Sequence, residues 1–308
     1  MKTMKIMFSN DEKVFNLNNL NGEGIPYLSF QMLDRLGIPN LFSTRYESYD
    51  ENAGEGVKGL RPSVLDSEDP AEAAPAAHFV RDRLAHELGS SIEMEGITDQ
   101  QHTNYVYVIK EEDLGIRWPA QKPPHRSFVD GVVTDLPGVI LTAFGGDCPP
   151  VYIADPKHGA IGLVHAGWKG TFNRIPEVAI AQMAVHFGSD PSDLYAAIGP
   201  GICKDCYEMG DEVYEAFADK WGEESADRIL SRYPAREAEK NLYPDGKYHL
   251  DLREANRMTL LRAGVREDRI AVSNICTMCN KDIFYSYRAG CMENHQAAMM
   301  VNRFDSIR

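Results

Sequence analysis

The chain has no long apolar run. Nothing in it approaches the ~20 residues a membrane helix needs, and its start, MKTMKIMFSNDEK, has no apolar signal core. The cytoplasm is therefore the expected compartment and a membrane is not an expected partner. Positive charge is also in deficit, with 32 Lys and Arg against 46 Asp and Glu and a net charge of −14. Such a balance argues against binding a nucleic-acid backbone, while a neutral small substrate remains open, with any anion met by a local basic cluster. Cysteine is sparse, at six residues. Three disulfides are arithmetically allowed, but the C-x-x-C pairs Cys203/Cys206 and Cys276/Cys279, in a chain with no signal core, point to thiols or metal instead. No internal repeat or low-complexity linker divides the 308 residues, so residues 1–308 read as a single domain, monomeric or homodimeric.

What the chain does have is concentrated between Val139 and Thr171, VILTAFGGDCPPVYIADPKHGAIGLVHAGWKGT. Three apolar runs, VILTAF, VYIAD and AIGLV, are separated by Gly-Gly, Pro-Pro and His-Gly breakers. They are too apolar for half-exposed strands and predict buried central ones. The first leads through Gly145-Gly146 to Asp147-Cys148, and the third runs into His165. A thiol and an imidazole thus sit at the rim of a buried sheet, where open sheets usually place their sites.

GDCPPVYIAD followed by VHAGWKGT resembles the bacterial laccase-domain family, also described as polyphenol oxidase or YlmD/YfiH-like proteins. Gln100-Gln101-His102 resembles its Gln-x-His motif, and DGVVTDLPG precedes the central strand as in the family. AIGPGICKDCYEMGDEV resembles its Cys-Tyr-Glu segment, and ICTMCNKDIFYSYRAG its closing Cys-Thr and Ser-Tyr-Arg motif. The likeness covers about residues 100–302, and several motifs in one order are more specific than any alone.

Elsewhere the patterns predict an N-terminal hairpin from KIMFSN and KVFNLNNL, and a strand or short helix at IPYLSFQMLDRLG. Residues 47–75, acidic and rich in Gly, Pro, Ser and Ala, predict a flexible loop. Helices are predicted at 69–88, 176–187, 211–221 with Asp211 as N-cap, 222–240, and after Asp251, itself a candidate N-cap. IAVSNI, FYSY and AAMMVNRF predict strands. Interspersed helices and short strand-to-strand links give an α/β (α+β) fold: a single YfiH-like domain with a mixed sheet packed by helices.

Read from the residues alone, Cys148 is a small buried hydrophobe and His165 a strand-end residue. The resemblance makes His102, Cys148 and His165 metal positions. Two imidazoles and a thiolate suit zinc, and three protein ligands leave a fourth position for water, as in catalytic sites. A cysteine-hydrolase reading competes, with Cys148 as nucleophile, His165 as its base and Asp147 orienting the histidine. Copper and polyphenol oxidation fit less well: the nine histidines include no His-x-His pair, and no axial methionine is identifiable.

The resemblance implies a purine nucleoside enzyme that acts by phosphorolysis of adenosine, inosine, guanosine and methylthioadenosine and by adenosine deamination. Asp147 and Asp251 are the candidate proton-shuttling carboxylates. Arg45 (in Ser43-Thr44-Arg45), Lys169 and Arg288 are the candidate phosphate clamp, and Phe144, Trp168 and Tyr287 the candidate aromatic wall. Two departures bear on phosphate. Lys169 stands where arginine is usual and lacks its bidentate fork, and Asn294-His295 stands where Gly-Arg is common. A zinc-stabilised binding module, for instance one that recognises peptidoglycan precursors in cell-wall editing, is the non-enzyme alternative. Of the C-x-x-C pairs, free buried thiols are the simpler expectation and a second zinc the alternative.

Overall fold

All six residues are buried in each of the strands Ile140–Gly145, Pro150–Asp155 and Ala160–His165. The computed structural model that shows this describes residues 4–9, 13–50, 55–62, 70–116, 123–234, 246–292 and 294–304. The three strands do not share one sheet. Ile140–Gly145 lies in a six-stranded sheet whose spatial order is Phe15–Asn18, Tyr27–Phe30, Asn40–Ser43, Gln296–Val301, Ile140–Gly145, Glu95–Ile97. The other two lie in a second six-stranded sheet, ordered Ile270–Val272, Tyr195–Ile198, Pro150–Asp155, Ala160–His165, Gly131–Thr134, Val106–Val108. Both are mixed: the first is parallel only at Glu95–Ile97, the second at both outer pairs.

The two sheets pack face to face through Phe30, Phe42, Leu141 and Ala143 of the first and Tyr152, Ala154, Ile161 and Leu163 of the second. The outer face of the first sheet is covered by the helix Pro70–Glu87, through Leu84 and Ala85 on Ile140, Phe144 and Met299. Ile175–Phe187 and Leu252–Arg262 cover the outer face of the second. The result is four layers, helix, sheet, sheet and helices, which explains why the central strands are apolar on both faces instead of alternating. A fourth apolar cluster joins the helices Asp211–Trp221 and Glu223–Ile229 to a three-stranded sheet of Glu208–Met209, Lys247–Leu250 and Leu230–Tyr233.

Several predicted elements come out differently. IPYLSFQMLDRLG is both strand and helix, Tyr27–Phe30 then Gln31–Arg35. Phe15–Asn18 pairs with that strand and not with the preceding segment. The 47–75 segment is not all loop: Tyr46–Asp50 pairs with Glu55–Lys58 and a helix begins at Pro70, while 51–54 and 63–69 lie outside the described residues. Gly210, not Asp211, caps its helix. The expected helix at 222–240 ends at Ile229 and becomes the strand Leu230–Tyr233, which the apolar cluster pulls into a sheet; 235–240 lies outside the described residues. FYSY is no strand. The side chains of Phe284, Tyr285 and Ser286 are buried and that of Tyr287 is exposed, and the backbone turns as Ser286 is drawn onto Asp147 by a 3.1 Å hydrogen bond.

Tyr152 is fully buried in the second sheet, and its hydroxyl donates to the Leu41 carbonyl of the first at 2.7 Å. Tyr152→Phe leaves that carbonyl short of a donor in a dry interface and should lower unfolding free energy by about 1–3 kcal/mol. Urea midpoints at an unchanged slope are the measurement.

Candidate metal centre

The chain passes from the first sheet to the second between Gly145 and Pro150, and this crossing carries Cys148. A Cβ at Gly146 would come 2.6 Å from the His295 ring, so a larger residue there would have to push that side chain aside. Asp147 follows with φ +151°, in the glycine-favoured half of backbone space, a conformation that costs a few kcal/mol and needs outside support. Support comes from three donors to its buried carboxylate: Thr277 Oγ1 at 2.6 Å, Ser286 Oγ at 3.1 Å and the Arg288 N–H at 2.7 Å. Burial raises the Asp147 pKa above the usual carboxylate value, with these bonds partly offsetting it.

His102 reaches the same place from the other side of the crossing. Gln100 mimics a backbone partner, its amide donating to the Phe144 carbonyl at 2.9 Å and accepting the Phe144 N–H at 2.6 Å. That double bond to the first sheet explains the Gln-x-His spacing. His102 itself has φ +60°. The turn is held by Asp130, which accepts the N–H groups of Gln101, His102 and Thr103, each at 2.9 Å. His165 ends its strand opposite Pro150, and its N–H donates to the Asp130 carbonyl at 2.7 Å. Its Nδ1 lies 2.9 Å from Asp130 Oδ1. A carboxylate only accepts, so Nδ1 carries the proton and Nε2 is left as a ligand.

The ligand atoms of His102, Cys148 and His165 consequently lie within 4.8 Å of one another. Cys148 Sγ is 4.0 Å from His102 Nε2, and the two imidazole rings are 5.0 Å apart at 78°. Gly167 leaves the space between them open: a Cβ there would sit 2.8 Å from Cys148 Sγ and 2.9 Å from the His102 ring. Two nitrogens and one sulfur around a cradle kept clear by glycine fit a single metal ion with a further coordination position.

Burial opposes both charges of the Cys148–His165 pair, and their mutual attraction overcomes it. The thiol is brought down to about 6 by His165 and His102, and the imidazole is raised to about 10 by Cys148 and Asp130. For Asp130, burial is outweighed by the His165 hydrogen bond and the loop amides, and the carboxyl stays below its ordinary value. Asp130 also takes the place the cysteine-hydrolase reading gave to Asp147. Asp130 carries no motif of its own in the sequence, and its one signal there is an acidic residue at the head of the apolar run DGVV.

The remaining candidates are dispersed. Asp251 caps the helix Leu252–Arg262, accepting from the N–H groups of Arg253 and Glu254. Both Asp147 oxygens are occupied by donors, whereas the two helix amides on Asp251 share its Oδ1. Arg288 is anchored beside the site through its N–H, while its guanidinium forks onto the Glu208 carbonyl and lies 5.1 Å from the Tyr207 ring centre. Arg45 donates to the Lys281 carbonyl and lines a cavity of about 160 Å³ with Lys281, Ser286 and Cys291. Lys169 Nζ sits 5.8 Å from the Trp168 ring centre, and Trp168 packs against the fourth apolar cluster. Arg45, Lys169 and Arg288 each have contacts of their own, with the Lys281 carbonyl, the Trp168 ring and the Glu208 carbonyl respectively. Phe144 is core, whereas Tyr287, 54 % exposed and bonded through its N–H to the Gly146 carbonyl, stands at the rim.

The model of the family described as multi-copper polyphenol oxidoreductase laccase matches residues 66–301. The chain belongs to this family. Within it, a purine nucleoside phosphorylase of Deinococcus radiodurans is 34% identical over 270 residues, 87% of this chain and 89% of that protein. Adenosine deaminase RL5, from an unknown prokaryotic organism, is 36% identical over 205 residues, 67% of this chain and 73% of that protein. The crystal structure of YlmD from Geobacillus stearothermophilus superposes with a TM-score of 0.73 at 28% identity, covering 95% of this chain and 100% of that one. The family's descriptive name does not match the donors present. The two clusters found among the described residues contain two histidines and none, too few for a multicopper centre.

Asp130→Asn would keep the shape but turn an amide against the loop N–H groups and remove the charge behind His165. Metal affinity should fall roughly 10–100-fold, read by competition with a chelator. In protein stripped of metal, alkylation of Cys148 should rise with a midpoint near pH 6 instead of near the ordinary thiol value of 9.0, since the thiolate is the form that reacts. The measurement is the pH dependence of iodoacetamide labelling by mass spectrometry, with bound metal expected to protect the thiol.

Proposed function

We propose that the chain is a zinc-dependent purine nucleoside enzyme, acting by phosphorolysis of adenosine, inosine, guanosine or methylthioadenosine and by deamination of adenosine. The observation that carries this reading is the three-donor site with its glycine-cleared fourth side, in a chain whose relatives are named purine nucleoside phosphorylase and adenosine deaminase. Zinc would be held by His102 Nε2, Cys148 Sγ and His165 Nε2, and when bound would supply Lewis acidity and an activated water. Asp130 fixes the tautomer of His165 and the pose of His102. Asp147 holds the Cys148 turn and the backbone of Arg288, placing the 286–288 segment beside the metal ligands.

Phosphorolysis breaks the C1′–N9 bond of the nucleoside, joins a phosphate oxygen to C1′ and returns a proton to the base. The dianion needs a cation at the rim, and Arg288 is anchored there through its N–H on Asp147. Its guanidinium donates to the Glu208 carbonyl at 3.3 Å and lies over the Tyr207 ring, and the long carbonyl contact is one that phosphate can replace. Tyr287, exposed next to it, offers a face for the purine. Deamination replaces the 6-amino group of adenine by the oxygen of water and uses no anion.

Cysteine hydrolysis is a second reading, favoured by the Asp130–His165–Cys148 chain and the lowered thiol. It uses the thiolate that the metal would occupy, so metal content decides between them. Cys148→Ala should abolish binding at this centre and both nucleoside activities with the fold retained by circular dichroism. Arg288→Ala should raise the Michaelis constant for phosphate roughly ten- to a hundredfold, the loss of a charge-assisted bond of about 1.5–3 kcal/mol. Adenosine deamination by the same preparation should be nearly unchanged; equal loss of both activities would remove Arg288 from phosphate binding.

A further inference from the structure

Cys203/Cys206 and Cys276/Cys279 are far apart in sequence, and their spacing is not that of a zinc ribbon. The fold nevertheless brings all four thiols to one point, every Sγ within 4.8 Å of the others. Cys203 and Cys206 flank the short turn Lys204–Cys206 that follows the Gly-Pro-Gly loop, and Cys276 and Cys279 bound the turn after the strand Ile270–Val272. A bridge between Gly201 and Cys276 sets the two turns side by side. The four thiols are free, as the simpler expectation had it, but they are clustered, and only Cys276 is buried. Sequence spacing could not show it, because the meeting point depends on the parallel pairing of Tyr195–Ile198 with Ile270–Val272, the strands that lead into the two turns.

We propose that these four cysteines form a second, structural metal site that takes one zinc ion in tetrahedral thiolate coordination. Four sulfurs about 2.3 Å from a central ion lie about 3.8 Å from one another. Cys206 and Cys279 Sγ are 3.6 Å apart, far beyond the about 2.05 Å of a disulfide. An iron–sulfur cubane places each cysteine on a different iron and would hold the sulfurs wider apart than this cluster does. Backbone geometry supports thiolates here. Cys276 Sγ accepts the N–H of Cys203 at 3.2 Å and of Cys279 at 3.4 Å, one donor from each turn, an arrangement that stabilises charge on the sulfur of a metal ligand. Cys276 is buried, Cys203 and Cys206 are half-buried and Cys279 is exposed, so the ion has a path in from solvent. Binding exchanges the thiol protons for the Zn–S bonds, with no change of oxidation state.

The position gives the site a role. Each turn also holds the crossing that carries Cys148: the Ile202 N–H donates to the Asp147 carbonyl at 2.8 Å, and Thr277 Oγ1 donates to the Asp147 carboxylate. A zinc ion joining the two turns fixes both sides of the strained Asp147 backbone, so the second metal buttresses the first centre without touching substrate. The proposal concerns metal content and rigidity and stands apart from the choice of reaction.

The test is metal analysis of full-length protein purified with reductant. Two zinc ions per chain are expected in the wild type, one in Cys148→Ala and one in Cys206→Ser/Cys279→Ser, the last with a lowered thermal midpoint. Should the double variant fail to fold, cobalt substitution of Cys148→Ala gives an independent readout. An intense sulfur-to-cobalt charge-transfer band from one cobalt per chain is expected, with Cys203, Cys206, Cys276 and Cys279 protected from native alkylation. A single zinc in the wild type that disappears in Cys148→Ala overturns the proposal, as does free alkylation of the four thiols, their recovery as disulfides, or iron in place of zinc.

Discussion

Everything at the candidate centre depends on the carboxylate of Asp130. It is fully buried, and an unpaired charge there would cost several kcal/mol. Three consecutive loop amides, the Thr103 hydroxyl and the His165 imidazole donate to it. The same contacts satisfy the charge and fix two metal-ligand candidates from separate parts of the chain. A loop and a strand end that share no backbone pairing are thereby locked into one geometry, and the imidazole tautomer follows from that lock.

Asp147 plays the matching part for the third ligand. Its backbone is strained, and the strain persists because Thr277, Ser286 and Arg288, all from the segment after Ile270–Val272, hold its side chain. That segment begins in one C-x-x-C turn, and the other turn grips the Asp147 carbonyl. The two clusters of soft and borderline donors are therefore neighbours in one mechanical unit, built where the chain crosses between stacked sheets. Sites at such crossings gain ligands from both sheets at once, which a single sheet edge cannot offer.

The family's descriptive name and the chemistry of this chain point in different directions. Two histidines and a cysteine around one cradle suit a single borderline metal with a further coordination position, a smaller donor set than a multicopper centre uses. Of the three basic candidates, Arg288 has its backbone N–H bonded to Asp147, next to Cys148.

The sequence by itself determined the central buried strands and, through its likeness to a family, the candidate donors. Runs such as VILTAF and AIGLV are apolar enough to be strands buried on both faces, and His102, Cys148 and His165 stood out by residue type and motif. Asp251 was legible as a cap because a carboxylate before a helical pattern has one local use. The tertiary structure decided what depends on contacts between distant segments. It split one expected sheet into two stacked ones, because runs apolar on both faces fit a double layer as well as a single one. Asp130, not Asp147, became the partner of His165, since hydrogen-bond partners are set by strand register and not by adjacency in the chain. FYSY turned instead of extending, because Asp147 draws Ser286 inward. The four thiols met only through the parallel pairing of Tyr195–Ile198 with Ile270–Val272, a long-range contact that no local spacing encodes.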